Sequence, residues 1–402
     1  MQPQGEGNPA TEQILPAESA LIEPGAKLTG AQLVRYSRQL ANPDFGELAQ
    51  RRLVNSRVLV IGAGGLGSAT IPSLAAMGVG TIGIVDTDVV ELSNLHRQLA
   101  HGVADIGRSK LDSVADRVAQ INPEITVQLH EFHLDSTNAL DLFGRYDLVL
   151  DGSDNFATRY LVNDAAALVG IPVVWGAILR YGGQTGVAWV GHGPTYRDLF
   201  PVPPHPDTVL SCADGGVLPT VCAAIGAIMG SETVKLLTGI GQPLLGRVTS
   251  YDALSGRFRE IEYSAPADAA PITELIDYEL FCNSSAKSDA ADAASGSPIT
   301  IDSPELAALL AADAPLQLID VREPFERAIV AIEPSLLVPL GHLGAELDAI
   351  RSDVPVVLYC HHGVRSERAL RLLQESGFTN IRHLVGGIDE YARTIDPTMM
   401  RY

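Results

Sequence analysis

RVLVIGAGGLGSAT, residues 57–70, decides the fold. Five residues of strand-forming character run into a glycine-rich turn, and a helical pattern follows. Gly62, Gly64 and Gly67 satisfy the GxGxxG spacing, and Gly65 adds a fourth glycine. Glycine lets a backbone approach a phosphate closely, and a helix N-terminus presents oriented N–H groups to it. Asp86 closes the next strand-like run, 81–86, nineteen residues after Gly67, where it can accept hydrogen bonds from ribose hydroxyls. Outward from this unit, strand patterns at 57–61, 81–86, 125–130, 147–151, 171–176 and 184–190 alternate with helical patterns at 30–41, 47–55, 66–77, 109–120, 156–169 and 218–238. This alternation predicts an α/β, Rossmann-like domain with a mostly parallel sheet.

The glycine turn alone leaves the nucleotide open. Asn94 and Arg97 follow the strand that ends at Asp86, Lys110 opens the next helix, and DGSDN sets Asp151, Asp154 and Asn155 at the end of another strand. In parallel sheets that edge is where ligands bind. Hydride transfer needs no cluster of cations, whereas adenylation develops charge on a leaving pyrophosphate that Arg and Lys stabilise. Asp154 is suited to a Mg2+ ion beside the phosphates.

The whole chain, 402 residues, is long enough for two or three domains. A net charge of −20 argues against nucleic acid as the main ligand. No uninterrupted apolar run has membrane-spanning length, the first residues lack signal-peptide character, and a cytoplasmic location is expected. Composition shifts at 282–299, a small, polar stretch that reads as a linker. The expected layout is a tail over 1–28, the nucleotide domain over 29–281, the linker, and a smaller α/β domain over 300–397.

Four cysteines, at 212, 222, 282 and 360, form no CxxC pair. Cys222 sits among Val and Ala in a helical pattern and reads as core. Cys212 lies on a polar loop before that helix, where a thiol is accessible. In VVLYCHHGVRSERA, Cys360 ends a strand, Gly363 permits a tight turn, and Arg365 and Ser366 close it at a helix start. Converging N–H groups and the helix dipole favour a sulfur anion there. The spacing is C-x4-R, one residue shorter than the C-x5-R cradle of cysteine phosphatases, and it suits a single sulfur atom. His361 and His362 either tune this loop or are simply exposed.

RYSRQ at 35–39, IGAGGLG at 61–67, DTDVVELSNLHRQ at 86–98, GRSK at 107–110, SDNFATRYLVND at 153–164 and CADGGVLP at 212–219 resemble the E1-like adenylyltransferases, the MoeB and ThiF enzymes. That resemblance, over about 30–265, implies ATP-dependent adenylylation of the C-terminal glycine of a ubiquitin-like sulfur carrier ending in Gly-Gly. It implies ATP contacts from Gly62, Gly64, Gly65, Gly67, Asp86, Ser93, Asn94, Arg97, Lys110, Asp154 and Asn155, with Arg97 and Lys110 catalytic. Arg38 matches an arginine lent across a homodimer. Cys212 matches a cysteine able to form a thioester or acyl disulfide. The family's zinc-binding CxxC pairs are missing: the first would fall at 195–198, which reads Thr-Tyr-Arg-Asp, and no zinc site is expected. A zinc-free subgroup of actinobacterial fusions, the MoeZ type, shares that string.

The unit 300–397 resembles the rhodanese sulfurtransferases through the Cys360 loop, LIDVREPFE at 318–326 and HLVGGIDEYAR at 383–393. This implies a persulfide on Cys360, with Arg365 catalytic, and a sulfur donor such as a cysteine desulfurase or thiosulfate. It departs from the family at AIVAIEPSLLVPLG, 328–341, which puts local loop packing in doubt. Together the resemblances imply sulfur transfer to give a carrier thiocarboxylate, in molybdenum cofactor or related sulfur-metabolite biosynthesis. Two alternatives stand beside this reading. One is an NAD-dependent oxidoreductase with an appended rhodanese domain, against which the SNLHR and SDN strings and Lys110 speak. The other is a non-catalytic scaffold for a ubiquitin-like partner, which would need damaged motifs.

Overall fold

The computed structural model describes residues 20–204, 215–284 and 300–402. The chain divides into two units, Met1–Lys287 and Ser288–Tyr402.

The first unit opens with α1 (Gly30–Arg35), α2 (Ser37–Leu40) and α3 (Gly46–Val54). β1 (Arg57–Ile61) leads through the glycine turn into α4 (Gly65–Met77), followed by β2 (Thr81–Val85), α5 (Lys110–Ile121), β3 (Thr126–His130), α6 (Ala139–Phe143), β4 (Leu148–Asp151), α7 (Phe156–Val169) and β5 (Val173–Leu179). The order is β3-β2-β1-β4-β5, and every pairing among these strands is parallel. Val58, Leu59, Val60 and Ile61 are all buried, because helices cover both faces of a parallel sheet. Beyond β5 the sheet turns antiparallel through β6 (Gly182–Ala188), β7 (Arg247–Asp252) and β8 (Arg257–Glu262). Between β6 and β7 lie α8 (Tyr196–Leu199) and α9 (Pro219–Thr238), and α10 (Tyr278–Ser284) follows β8.

Gly67 is required by packing. A Cβ there would stand 1.9 Å from the Gly62 carbonyl oxygen, so glycine sets how closely α4 meets the end of β1.

Several expectations change. The single helix expected over 30–41 breaks at Tyr36, whose side chain turns inward and whose hydroxyl accepts from Asn122 Nδ2 at 2.9 Å. α9 is long and apolar enough to cross a membrane, with mean hydropathy 1.4, although the sequence reading found no stretch of that kind. It packs as a core helix, burying Val221, Cys222, Ile225, Met229 and Leu237. The boundary expected at 281 falls inside α10, which buries Cys282 against the first unit.

The second unit comprises β9 (Thr300–Ile301), α11 (Ser303–Ala311), β10 (Gln317–Asp320), α12 (Pro324–Ile329), β11 (Leu336–Leu337), β12 (Val356–Tyr359), α13 (Val364–Glu375), β13 (Ile381–Leu384) and α14 (Gly387–Thr394). Its sheet is parallel throughout, in the order β11-β10-β12-β13-β9. The stretch 328–341 supplies β11, and Arg327 ties it down through Glu333 and the Ser335 hydroxyl. Ordered contacts continue past 397 to Arg401 and Tyr402, both engaged with the body of the unit.

Candidate active site

At the C-terminal edge of the first unit's parallel strands lies a cavity of about 820 Å³. The β1–α4 turn forms one wall. α4 begins without a side-chain cap, so its first N–H groups remain open to an anion. Asp86, just past β2, accepts from the Ala63 N–H at 2.7 Å through one carboxylate oxygen and from the Asp88 N–H at 2.8 Å through the other. It therefore fixes the turn, and each oxygen keeps lone-pair capacity for a further donor.

Lys110 starts α5 with its side chain 7% exposed, and its ammonium lies 2.7 Å from the Asp88 carboxylate, itself 67% exposed. A buried cation is thus held at the cavity by a carboxylate that solvent or a phosphate can replace. Arg97 donates from one Nη to the Ser93 carbonyl at 2.9 Å. Burial, then the charge of Arg97, pushes His96 below its ordinary value. Asn94 is buried at the lining, its side-chain oxygen accepting from the Glu91 N–H. Asp154 is exposed at the lining beyond β4.

Gly62, Gly64, Gly65, Asp86, Asn94, Arg97, Lys110 and Asp154 line this one cavity. Other expected residues stand elsewhere. Gly67 acts through packing. Ser93 directs its hydroxyl to Glu91 and lends Arg97 its carbonyl. Asn155 caps α7, accepting from the Thr158 N–H at 2.8 Å, which makes it a helix cap in place of a lining residue. Arg38 is exposed on α2 and is not among the lining residues. Cys212 lies outside the described residues.

The sequence reading missed the cavity's other wall. Trp175, Tyr196 and Phe200 line it, with Arg159 and Gln98. Arg159 donates to the Ser153 carbonyl at 2.8 Å and lies near Asp151, whose carboxyl burial pushes upward. The Trp175 indole N–H and the Gln98 side-chain oxygen are buried with no hydrogen-bond partner among the described residues, so a polar ligand has waiting partners there. Gln98 and Arg159 fall inside motifs quoted above; their inward orientation carries no sequence signal.

Among the described residues no cluster of three or more His, Cys, Asp or Glu side chains could hold a metal. Asp154 with phosphate oxygens and water fits Mg2+, which takes few protein ligands. At 195–198 the chain forms a capped turn, and Arg197 pairs bidentately with the buried Asp164 at 2.7 and 2.7 Å. The Tyr278 hydroxyl of α10 donates to the same carboxylate at 2.7 Å. This knot joins 195–198, where the first of the missing CxxC pairs would fall, to α7 and α10.

In the second unit, Cys360 follows β12 and is 1% exposed. Its sulfur accepts from the Gly363 N–H at 3.1 Å. Gly363 has φ +102°, a conformation that favours glycine and lets the chain turn directly into α13. Gly387 is equally constrained: a Cβ there would lie 2.2 Å from the His361 carbonyl oxygen. The N–H groups of Ile388 and Asp389 donate to the Cys360 and His361 carbonyls, fastening the loop to α14.

Arg365 is anchored on α12. Two of its nitrogens meet the two oxygens of Glu326 at 2.7 and 2.7 Å, both side chains being nearly buried. It holds the end of the loop. Burial pushes the Glu326 carboxyl up, but hydrogen bonds from Arg365 and the Glu323 N–H outweigh it and hold the group at about 2. His361 stacks on Tyr402 with ring centres 4.2 Å apart, and burial holds it down at about 4. Glu326 and Tyr402 gave no sign of these roles in the sequence.

Residues 36–272 match the ThiF family and residues 302–394 the rhodanese-like domain. The chain is 52% identical to "Probable adenylyltransferase/sulfurtransferase MoeZ" of Mycobacterium tuberculosis, over 95% of this chain and 98% of that one. It is 39% identical to "Adenylyltransferase and sulfurtransferase MOCS3-1" of Zea mays, over 94% and 85% of the two chains. Among solved structures, E. coli MccB with ATP superposes with a TM-score of 0.52 at 19% identity, over 59% of this chain and 74% of that one, a likeness of fold.

Proposed function

The chain belongs to the ThiF family, carries a rhodanese-like domain and is an adenylyltransferase and sulfurtransferase; from that premise we propose that it converts the C-terminal glycine of a ubiquitin-like sulfur carrier to a thiocarboxylate. The observation that carries the reading is the convergence of the glycine turn, Asp86, Arg97, Lys110 and Asp154 on one cavity. A nicotinamide enzyme has no use for that cation set.

In this reading the carrier, ending in Gly-Gly, inserts its tail into the cavity. Its terminal carboxylate attacks the α-phosphorus of ATP, and pyrophosphate leaves. The open N–H groups of α4 receive phosphate oxygens. Lys110 exchanges Asp88 for phosphate, and Arg97 balances charge on the departing group. Asp154 would hold Mg2+, which would supply charge neutralisation on the phosphates. Asp86 keeps the turn in place and receives the ribose. Arg38 enters the cavity of a second copy in a homodimer.

Cys360, loaded by a cysteine desulfurase or thiosulfate, attacks the acyl carbon with its terminal sulfur, and AMP leaves. Cys212 then attacks the sulfur of Cys360 in the acyl disulfide. The thiocarboxylate departs, and a thiol reductant reopens the disulfide formed between the two cysteines. Consumption of ATP and dependence on reduced thiols suit the cytoplasm. The products serve molybdenum cofactor or related sulfur-metabolite synthesis.

The test is mass spectrometry of candidate carriers incubated with the enzyme, ATP, Mg2+ and a sulfur donor. Exchange of oxygen for sulfur adds roughly 16 mass units to an acid activated by acyl transfer chemistry. Cys360→Ala should retain pyrophosphate exchange and yield no thiocarboxylate. Thiocarboxylate formed at the normal rate by Cys360→Ala would end the proposal.

A further inference from the structure

The segment after α14 returns to the Cys360 loop, touching His361 within it and Asp389 beside it. Arg401 pairs with Asp389 of α14 at 2.7 Å, and the Asp389 N–H donates to the His361 carbonyl. Tyr402 lays its ring on His361 with an interplanar angle of 5°. Its hydroxyl accepts from Arg322 Nη1 at 2.8 Å and donates to Glu326 Oε1 at 2.9 Å. Arg322 is fully buried and pairs with Asp320 at the end of β10. Glu326 in turn grips Arg365, the residue that closes the loop.

One side chain therefore reaches both flanks of the reactive cysteine: His361 directly, Arg365 through Glu326. We propose that Tyr402 is a positioning residue for sulfur transfer, a clasp that fixes the Cys360 loop and shields His361 from water. The inference rests on Cys360 as the sulfur-bearing residue. A loop that receives sulfur from one partner and delivers it to another carbon must present its sulfur in one geometry. The Gly363 N–H is the hydrogen-bond donor seen at that sulfur. Movement of His361 or Arg365 would displace Gly363, which lies between them in the loop.

His361 reports on the clasp. The groups around it are His362 on its own loop, Asp389 of α14, Glu326 of α12 and Arg365 of α13, with the Tyr402 ring on one face. Removing the ring admits water, and the midpoint should rise from about 4 toward the ordinary histidine value of about 6.5.

The experiment uses the full chain with Tyr402→Phe and Tyr402→Leu. Phe keeps the stack and loses both hydroxyl contacts; Leu loses both features. Three quantities are read: the His361 midpoint by NMR of isotope-labelled histidine, the alkylation rate of Cys360 by iodoacetamide mapped by peptide mass, and thiosulfate-to-cyanide transfer. In Tyr402→Leu, alkylation should quicken about tenfold as local opening becomes easier. The kcat for transfer should fall about tenfold with KM for thiosulfate little changed. A limb near the raised His361 midpoint should appear in the pH profile. Tyr402→Phe should keep the low midpoint and still lose part of kcat; it decides the matter if the Leu variant does not fold. A Leu variant with unchanged midpoint and alkylation rate, or a Phe variant with unchanged kcat, overturns the clasp. If wild type takes up no sulfur on Cys360 from thiosulfate or a cysteine desulfurase, the persulfide reading falls, and the midpoint and alkylation rate still decide the clasp.

Discussion

Replacing Glu326 by Gln tests the structural reading of the second unit most sharply. Its carboxylate receives two hydrogen bonds from Arg365 at 2.7 and 2.7 Å, one from Tyr402 at 2.9 Å and one from the Glu323 N–H at 2.9 Å. The Arg365 and Glu326 side chains are only 10% and 5% exposed. Gln retains the shape and removes the charge, leaving a nearly buried guanidinium without its counter-ion. Breaking a buried pair by removing one partner costs about 3–5 kcal/mol, and the lower figure applies because the amide oxygen still accepts one bond. For a unit of about 100 residues, about 3 kcal/mol lowers Tm by roughly 12–24 °C. Both tryptophans, Trp175 and Trp189, lie in the first unit, so their fluorescence follows that unit alone. Circular dichroism follows both units. The expected result is a new early transition in circular dichroism with an unchanged fluorescence transition. Superimposable melts would refute the claim that this pair holds the loop.

Other outcomes follow from the same geometry. Lys110→Met should abolish pyrophosphate exchange while leaving sulfur loading of Cys360 intact, read by isotope exchange and mass spectrometry. Gly67→Ala pushes a methyl group into the Gly62 carbonyl, and should cost about 1–3 kcal/mol and weaken ATP binding in calorimetry. Arg197→Met strands the buried Asp164, and should cost the first unit about 3–5 kcal/mol in urea unfolding followed by fluorescence. Glu326 is held at about 2 against an ordinary 4.5, so its stabilisation is complete above about 4.5 and drains away as pH falls toward 2. Acid melts of Glu326→Gln should lack that component.

What could be read from the sequence was local. The β1 strand, its glycine turn and α4 declare themselves in fourteen consecutive residues, 57–70. The Cys360 loop does so within seven, 360–366. What escaped depends on distant partners. Arg197, Asp164 and Tyr278 meet across separations of 33 and 114 residues. Tyr402 reaches Arg322 and Glu326 from 80 and 76 residues away. β7 and β8 were not among the expected strands, because polar residues interrupt their apolar ones and β8 stays exposed at the sheet edge. Asn155 shows the converse: a motif residue whose side chain the local helix claims as a cap.

On the proposed reading, the burial of Cys360 gives the resting and loaded forms different chemistry. At 1% exposure, the bare thiol offers peroxide little approach and is guarded against irreversible oxidation. Adding a sulfur extends the chain by an S–S bond of about 2 Å. On the proposed reading the loop hides the sulfur the protein keeps, and the one it gives away stands a bond length further from the backbone.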